Sequence, residues 1–147
     1  MKLGFTNRIA LSLTFAIICL GCGPTFSNDE VARISSPDGT MDAVLFESNG
    51  GATTSFGYEV QIGAKGVHAG KSVARFYGAV RNSQAYGVDL HWQSNDTLTV
   101  EYLTSKLPPQ VQELADVNGR SVHVVVRSGV EDKSAPAGGM LWNLRQH

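Results

Sequence analysis

The sequence predicts a small all-β domain, either propeller-blade-like or a compact sandwich, with about six to eight antiparallel strands behind an export signal. Apolar and polar residues alternate cleanly in several short stretches, among them residues 56–62 and 88–92. Turn-forming residues separate these stretches, above all Asn118-Gly119, which favours a two-residue hairpin. No stretch predicts a helix of ordinary length.

The chain begins with a pattern typical of an export signal. Lys2 and Arg8 precede an uncharged apolar run over residues 9–20, which is shorter than the roughly 20 residues that a membrane-spanning helix needs. We therefore expect residues 1–21 to be a signal peptide. A tether over residues 22–30 would follow, rich in Gly, Pro, Ser, Thr and Asn.

The segment Cys19-Leu20-Gly21-Cys22 resembles the lipobox of bacterial lipoproteins, although Cys19 is unusual three positions before the modified cysteine. The resemblance implies acyl chains on Cys22, and several chains together bind a membrane stably. Gly23 is not the Asp that usually retains such proteins in an inner membrane, so the expected location is the outer membrane, facing the periplasm. The alternative is an ordinary signal peptide cut near Gly21 or Gly23 and a soluble periplasmic protein.

Charge and cysteine content narrow the class of protein. Loss of Lys2 and Arg8 with the signal leaves ten basic and thirteen acidic residues, a net charge of −3 with histidines neutral. No basic run or basic amphipathic stretch is present, so neither nucleic acid nor an anionic lipid surface is an expected partner. The only cysteines are Cys19 and Cys22, so the mature domain has no internal disulfide and must be stabilised by one core.

In the first half we expect a domain that begins near residue 31. A strand over residues 31–35 leads into the turn Ser36-Pro37-Asp38-Gly39, and a strand over residues 40–47 follows with both faces partly covered. On that strand one face carries Met41, Ala43, Leu45 and Glu47. A glycine-rich loop, SNGGATTS over residues 48–55, precedes the strand at 56–62, whose even-numbered side should face inward.

The second half predicts a weaker strand over residues 73–80 and then two hairpins. Residues 88–92 and 97–102 form the first, around Ser94-Asn95-Asp96. Residues 111–117 and 120–127 form the second, with Ala115 opposite Val122, and Pro108-Pro109 separates the two hairpins. The β domain would span residues 31–127. Residues 128–147 would be a polar tail that is either disordered or docks through Leu141, Trp142 and Leu144.

Three motifs resemble a family of small uncharacterised bacterial exported proteins. They are the SPDG turn with the apolar strand after it, the stretch Gly51-Ala52-Thr53-Thr54-Ser55-Phe56, and the tryptophan-centred segment 92–98. The resemblance covers about residues 35–127 and implies fold and location only. The family commonly has cysteine where this chain has Gly50, so no role of that thiol carries over.

The most plausible binding site is the SNGGATTS loop, because its small residues let a partner approach the backbone and its hydroxyls and amides can form hydrogen bonds. Its candidate residues are Asn49, Gly50, Gly51, Ala52, Thr53 and Thr54. The leading hypothesis is a non-enzymatic envelope lipoprotein that binds or supports another envelope component there. The alternatives are a periplasmic hydrolase, using Thr53 or Thr54 with His68, His91 or His123, and an inhibitor of an exported hydrolase.

Cofactor and metal sites are not expected. Asp89 and His91 share one strand face, but two ligands do not make a zinc site, and a solvent-facing position explains them. Trp92 and Tyr102 lie on the apolar sides of their strands, which favours core packing over stacking against a ligand. Trp142, near the chain end, is a candidate anchor for a partner if it is exposed.

Overall fold

A computed structural model describes residues 27–68 and 70–146. The described chain forms nine strands and one short helix. These are β1 (Ser27–Ser35), β2 (Met41–Asn49), β3 (Gly57–Ala64), β4 (Lys71–Tyr77), β5 (Asp89–Ser94), β6 (Thr97–Tyr102), β7 (Gln110–Val111), β8 (Leu114–Val117), β9 (Arg120–Ser128) and α1 (Met140–Leu144).

Two sheets enclose one hydrophobic core. The first has the order β1-β2-β3-β4-β7 and the second the order β5-β6-β9-β8. Buried side chains of both sheets form a single cluster, which includes Leu45, Val60 and Ile62 from the first sheet and Leu98 and Val122 from the second. The predicted all-β class is confirmed, and the architecture is the sandwich rather than a single propeller blade.

The first sheet is built mainly from consecutive antiparallel hairpins, as its alternating sequence predicts. Both faces of β2 are covered, and five successive residues from Met41 to Leu45 are buried. On β3 the even side faces inward, with Tyr58, Val60 and Ile62 buried. Both expectations are confirmed.

Turn chemistry sets the hairpin of β8 and β9. Asn118 and Gly119 have φ angles of 53° and 78°, the pair of positive values that a type I′ turn requires. Ala115 pairs with Val122 as predicted. The β5–β6 hairpin also forms, with Leu90 opposite Val100.

The expectation of an antiparallel domain is wrong at one position, because β6 and β9 pair in parallel, from Thr97 opposite His123 to Tyr102 opposite Ser128. After β6 the chain crosses to the first sheet, where β7 pairs with β4, and then returns to the second sheet. The chain re-enters the second sheet as β8, and the β8–β9 hairpin then reverses it, so that β9 runs parallel to β6. The strand count of nine also exceeds the six to eight expected.

Two predicted domain boundaries need correction. β1 starts at Ser27, so residues 27–30 belong to the domain and not to the tether over 22–30. At the other end, β9 extends to Ser128, and Met140 and Leu141 pack against the core. Residues 128–146 are therefore part of the domain, as the docking alternative for the predicted tail at 128–147 expected. Of its three docking residues Leu141 packs against the core, whereas Trp142 and Leu144 are exposed. Cys22 and the predicted signal peptide lie outside the described residues.

The sandwich has two different ends. The turn end carries the β1–β2, β3–β4, β5–β6 and β8–β9 connections. The loop end carries residues 50–56, 78–88, 103–109 and 129–146. Among the described residues, no helix is both long and apolar enough to cross a bilayer.

Candidate binding surface at the loop end

A cleft of about 470 Å³ opens at the loop end of the sandwich, which we call the loop-end cleft. Segments from three parts of the chain form it: the end of β2 with the following loop, the connection from β4 to β5, and the C-terminal segment. Its lining residues are Glu47, Asn49, Phe56, Tyr86, Gly138, Gly139, Leu141, Trp142 and Arg145.

Glu47 is the buried polar centre of this region. Its side chain follows Ala43 and Leu45 on the inward face of β2, and only 2% of the residue is exposed. The Tyr58 hydroxyl donates to Glu47 Oε2 at 2.7 Å, and the Met140 N–H donates to the same oxygen at 2.7 Å. A longer bond of 3.4 Å joins the Leu141 N–H to Oε1. Glu47 thus binds the free N–H groups at the start of α1.

Aromatic side chains surround this carboxyl group. Burial raises the pKa of Tyr58 well above its usual range, and the hydrogen bond to Glu47 adds to the effect. Tyr58 therefore stays protonated and serves as a donor. The rings of Phe56 and Tyr86 lie 5.0 Å apart at an angle of 55°, so they form a tilted aromatic pair beside the cleft.

The short helix α1 closes one side of the cleft and presents a divided surface. Met140 and Leu141 pack toward the core, whereas Trp142 is 63% and Leu144 is 53% exposed. Gly139 precedes the helix. A Cβ atom there would lie 3.0 Å from both Glu47 Oε1 and the Phe56 ring, so a residue without a side chain allows this close approach.

The SNGGATTS loop borders the cleft through Asn49, the last residue of β2. Asn49 Oδ1 accepts from the Gly51 N–H at 2.9 Å, and the Thr54 hydroxyl donates to the Gly51 carbonyl at 3.1 Å. These local bonds order the loop, while Ala52 and Thr53 stay exposed. The predicted loop residues therefore lie together at one end of the sandwich.

Gly50 sits tightly in this loop. A Cβ atom at this position would lie 2.8 Å from Thr54 Oγ1, so any side chain here would require Thr54 to move. On the other side of the loop, a smaller hollow of about 240 Å³ is lined by Ser48, Gly50, Thr54, Ser55, Gly57 and Tyr77. The loop thus separates two concave surfaces.

A buried guanidinium fixes the segments behind the cleft. Arg81 Nη1 lies 3.2 Å from Asp89 Oδ1 and 3.6 Å from Asp132 Oδ2. The Asn82 amide donates to the carbonyls of Asp132 and Ala135, at 2.9 and 3.0 Å. Burial raises the pKa of Asp89, and the charge of Arg81 opposes that rise. This cluster holds the C-terminal segment against the β4–β5 connection.

The structure does not bring together the residues of the hydrolase alternative. Thr53 and Thr54 lie at the loop end. His68 lies in the β3–β4 connection at the turn end, and the His123 N–H bonds Asp96 in the β5–β6 turn. β3 alone separates the two ends by about 25 Å, at 3.3 Å per residue. His91 is on β5, and its Nε2 lies 3.5 Å from Glu101 Oε2.

The structure likewise supplies no third ligand for a metal site at Asp89 and His91. In the described residues no group of three or more His, Cys, Asp or Glu side chains could hold a metal ion. Asp89 is engaged by Arg81, and His91 is exposed and faces Glu101.

The two aromatic residues assigned to the core do pack there. Tyr102 is buried, and its ring lies 5.3 Å from that of Phe76 in an edge-to-face contact. Trp92 packs against the core at the margin of the second sheet, and its indole N–H donates to the Ile34 carbonyl of β1 at 3.2 Å. Trp92 therefore joins the edge strands of the two sheets.

Sequence reasoning did not identify Glu47 and Tyr86 as parts of this surface. The signal for Glu47 was present, because an acidic residue shared a face with Met41, Ala43 and Leu45. For Tyr86 we find no such signal, since it lies in an irregular connection whose position depends on distant contacts.

Comparison with known proteins found no relative of this chain. No protein-family model, no curated protein and no solved structure matches this chain. The resemblance to small exported bacterial proteins therefore stays a prediction, and the functional argument depends on the residues of this chain.

Proposed function

We propose that the protein is a bacterial envelope lipoprotein, anchored through acyl chains on Cys22, and that it acts as a non-enzymatic binding module. Its binding surface would be the loop end, made of the SNGGATTS loop and the loop-end cleft. The observation that carries the proposal is the position of this surface. An exposed Trp142, a half-open cleft and a loop of small residues lie side by side at one end of the sandwich.

The chemistry of the cleft suits recognition. Phe56, Leu141 and Trp142 supply apolar contact, while Asn49 and Arg145 supply hydrogen-bonding groups at the rim. Sites that bind a ligand or partner commonly combine a mainly apolar lining with a few placed polar groups. Glu47 is already saturated by Tyr58 and α1, so its role here is to hold the surface in shape.

The anchor is tested by the intact mass of the protein extracted from membranes, measured beside a Cys22→Ser variant. A native mass that carries acyl chains, absent from the variant, supports the lipoprotein assignment. A native mass equal to the processed, unmodified chain contradicts it and indicates a soluble periplasmic protein.

The binding surface is tested by photo-crosslinking in intact cells. A photoreactive amino acid at Thr53 samples the loop end, and the same amino acid at Lys65 samples the turn end; both positions are exposed. We expect a discrete adduct, of protein or lipid mass, from position 53 and none from position 65. Equal labelling from both positions would contradict a binding surface at the loop end.

A further inference from the structure

Exposed apolar side chains concentrate at the loop end. Among the described residues, eight large hydrophobic side chains are exposed, and five of them belong to loop-end segments or to the last residue of β4. These five are Tyr77, Leu107, Val130, Trp142 and Leu144. Of the other three such side chains in the described residues, Val67 lies in the β3–β4 turn, Leu114 pairs with His123 near the turn end, and Val125 lies within β9.

The turn end is instead polar and internally bonded. Arg120 Nη1 lies 2.7 Å from Asp38 Oδ2, and the Asp38 N–H donates to Asn95 Oδ1 at 2.9 Å. These bonds join the β1–β2, β5–β6 and β8–β9 turns to one another. The two ends of the sandwich therefore face different surroundings.

The length of chain between the predicted anchor and β1 limits which end of the sandwich can face the membrane. Ser27, the first residue of β1, pairs with Asn49, the last residue of β2. Five steps along the chain separate Cys22 from Ser27 and reach at most about 18 Å. Since β1 alone spans about 26 Å, at 3.3 Å per residue, this reach is too short for Cys22 to arrive at the turn end.

The side chains of α1 suit a lipid–water interface. Tryptophan is enriched at this boundary because its ring is apolar and its N–H is polar, and arginine extends its charged group toward the headgroups. Trp142 and Leu144 project from α1, and the exposed Arg145 follows them directly. Met140 and Leu141 hold the helix to the core and so fix its orientation, while Trp142 and Leu144, two residues apart, project from different sides of its exposed surface.

We propose that the loop end faces the bilayer that holds Cys22, with Trp142 and Leu144 inserted in its interfacial region. This orientation rests on the proposed acyl anchor. In it, the envelope component that contacts the loop end is the lipid surface itself. The acyl chains supply the affinity, and the α1 side chains supply the orientation.

The test uses the acylated protein reconstituted in phosphatidylcholine vesicles. Because Cys19 and Cys22 are the only cysteines, an introduced cysteine is the one free thiol of the mature acylated chain. A bimane label at Gln146→Cys reports on the end beside α1. The matched label at Lys65→Cys reports on the turn end, and both positions are exposed.

Doxyl-labelled phosphatidylcholine then quenches the fluorescence of any bimane label that lies close to the bilayer. We expect quenching at position 146 to exceed that at position 65 by at least about twofold, because the interfacial groups would lie within the headgroup layer. In a Trp142→Ser, Leu144→Ser double variant, which still floats with the vesicles, quenching at position 146 should fall to the level of position 65.

The contrary results are distinct. Equal quenching at positions 146 and 65 in protein that floats with the vesicles overturns the orientation and leaves the anchor intact. If the protein does not float with the vesicles, both the proposed acyl anchor and the proposed orientation are contradicted. A photo-crosslink from position 142 to another protein, with no quenching at position 146, shows that a protein covers α1 and also overturns the orientation.

Discussion

Strand β2 carries a buried acidic side chain near each end of the sandwich, and the two are held in different ways. Asp42, toward the turn end, bonds Arg33 Nη1 at 3.1 Å, the Ser35 hydroxyl at 2.7 Å and the Gly66 N–H at 2.9 Å. The Gly66 N–H, followed by the Ser35 and Arg33 bonds, lowers the pKa of Asp42 against the effect of burial.

Glu47, toward the loop end, has no salt bridge with any described residue. Its partners are the Tyr58 hydroxyl and the N–H groups of Met140 and Leu141, from the last part of the chain. The turn end is thus closed by charge pairs, Arg33 with Asp42 within one hairpin and Arg120 with Asp38 between two. The loop end is closed by one carboxyl group that binds the C-terminal helix, which leaves apolar side chains at the surface.

The largest effect is expected from Glu47→Ala. This change leaves the Tyr58 hydroxyl and the α1 N–H groups buried without an acceptor, which should lower the free energy of unfolding by about 3 kcal/mol. Urea denaturation measures the loss. Amide exchange should rise in residues 138–146. Glu47→Gln, which keeps an acceptor oxygen, should lose about half as much, and an equal loss in both variants would contradict this role.

Asp42→Ala should lower the free energy of unfolding by less than Glu47→Ala does, by about 2 kcal/mol. The reason is that Arg33 is partly exposed and can be solvated when its partner is lost. The same urea experiment tests it. Exchange in residues 138–146 should stay unchanged, since this carboxylate holds the other end of β2. Faster exchange there would show that the two ends are coupled rather than independent.

Gly119→Ala should destabilise by about 1 kcal/mol, because an alanine at φ 78° is strained although its Cβ would meet no atom within 4 Å. Gly51→Ala is the matched change at the loop end, with φ 97° and equally open space. We expect a smaller thermal shift there, since that loop pairs with no other turn. A larger thermal shift for Gly51→Ala than for Gly119→Ala would contradict the view that turn geometry matters more for stability at the turn end than at the loop end.

The acid sensitivity of the turn end centres on Asp38. The Ser36 hydroxyl and then Arg120 lower the pKa of this carboxyl well below its usual range. The stability that it adds is therefore complete above the unfolded value of about 3.9 and is lost as the pH falls through the folded-state pKa. Asp38→Asn should flatten the fall in melting temperature below about pH 4. An unchanged pH profile in the variant would argue against this contribution, with Glu131→Gln, at an exposed position outside the strands, as the control.

The smallest effect is expected from Trp142→Ser. Because the side chain is mostly exposed, the free energy of unfolding should change by less than about 0.5 kcal/mol. Leu141→Ser, at a partly buried neighbour, should cost about 1 kcal/mol or more. Unfolding by urea measures both, and a large loss for Trp142→Ser would mean that its ring supports the fold rather than a surface function.

Local chemistry made much of the fold predictable. The Asn118-Gly119 turn fixes the register of β8 and β9, because both residues readily adopt the positive φ of a type I′ turn, whose twist matches that of the strands. The inward side of β3 was predicted from the alternation of apolar and polar residues alone. The short alternating segments likewise predicted strands, although their ends shifted by a few residues, as at Ser27.

The parallel pairing of β6 and β9 was not predictable in this way, since it depends on a crossover through the other sheet and not on any adjacent turn. The loop-end cleft was only partly predictable. Composition correctly placed Gly50–Ser55 in a loop, whereas Ser48 and Asn49 of the predicted loop belong to β2. The closure by Glu47 and α1 joins positions 93 residues apart, between Glu47 and Met140, for which no local pattern exists.

The parallel β6–β9 ladder also bears on how the chain folds. Thr97 pairs with His123 across an intervening segment that visits the first sheet. Strands β1 to β4 can form by successive closure of short hairpins, whereas the second sheet must wait for a long loop to close. Non-local pairing of this kind slows folding and exposes unpaired strand edges in the meantime. We therefore expect assembly of the second sheet to limit the folding rate, with β9 the last strand to be ordered.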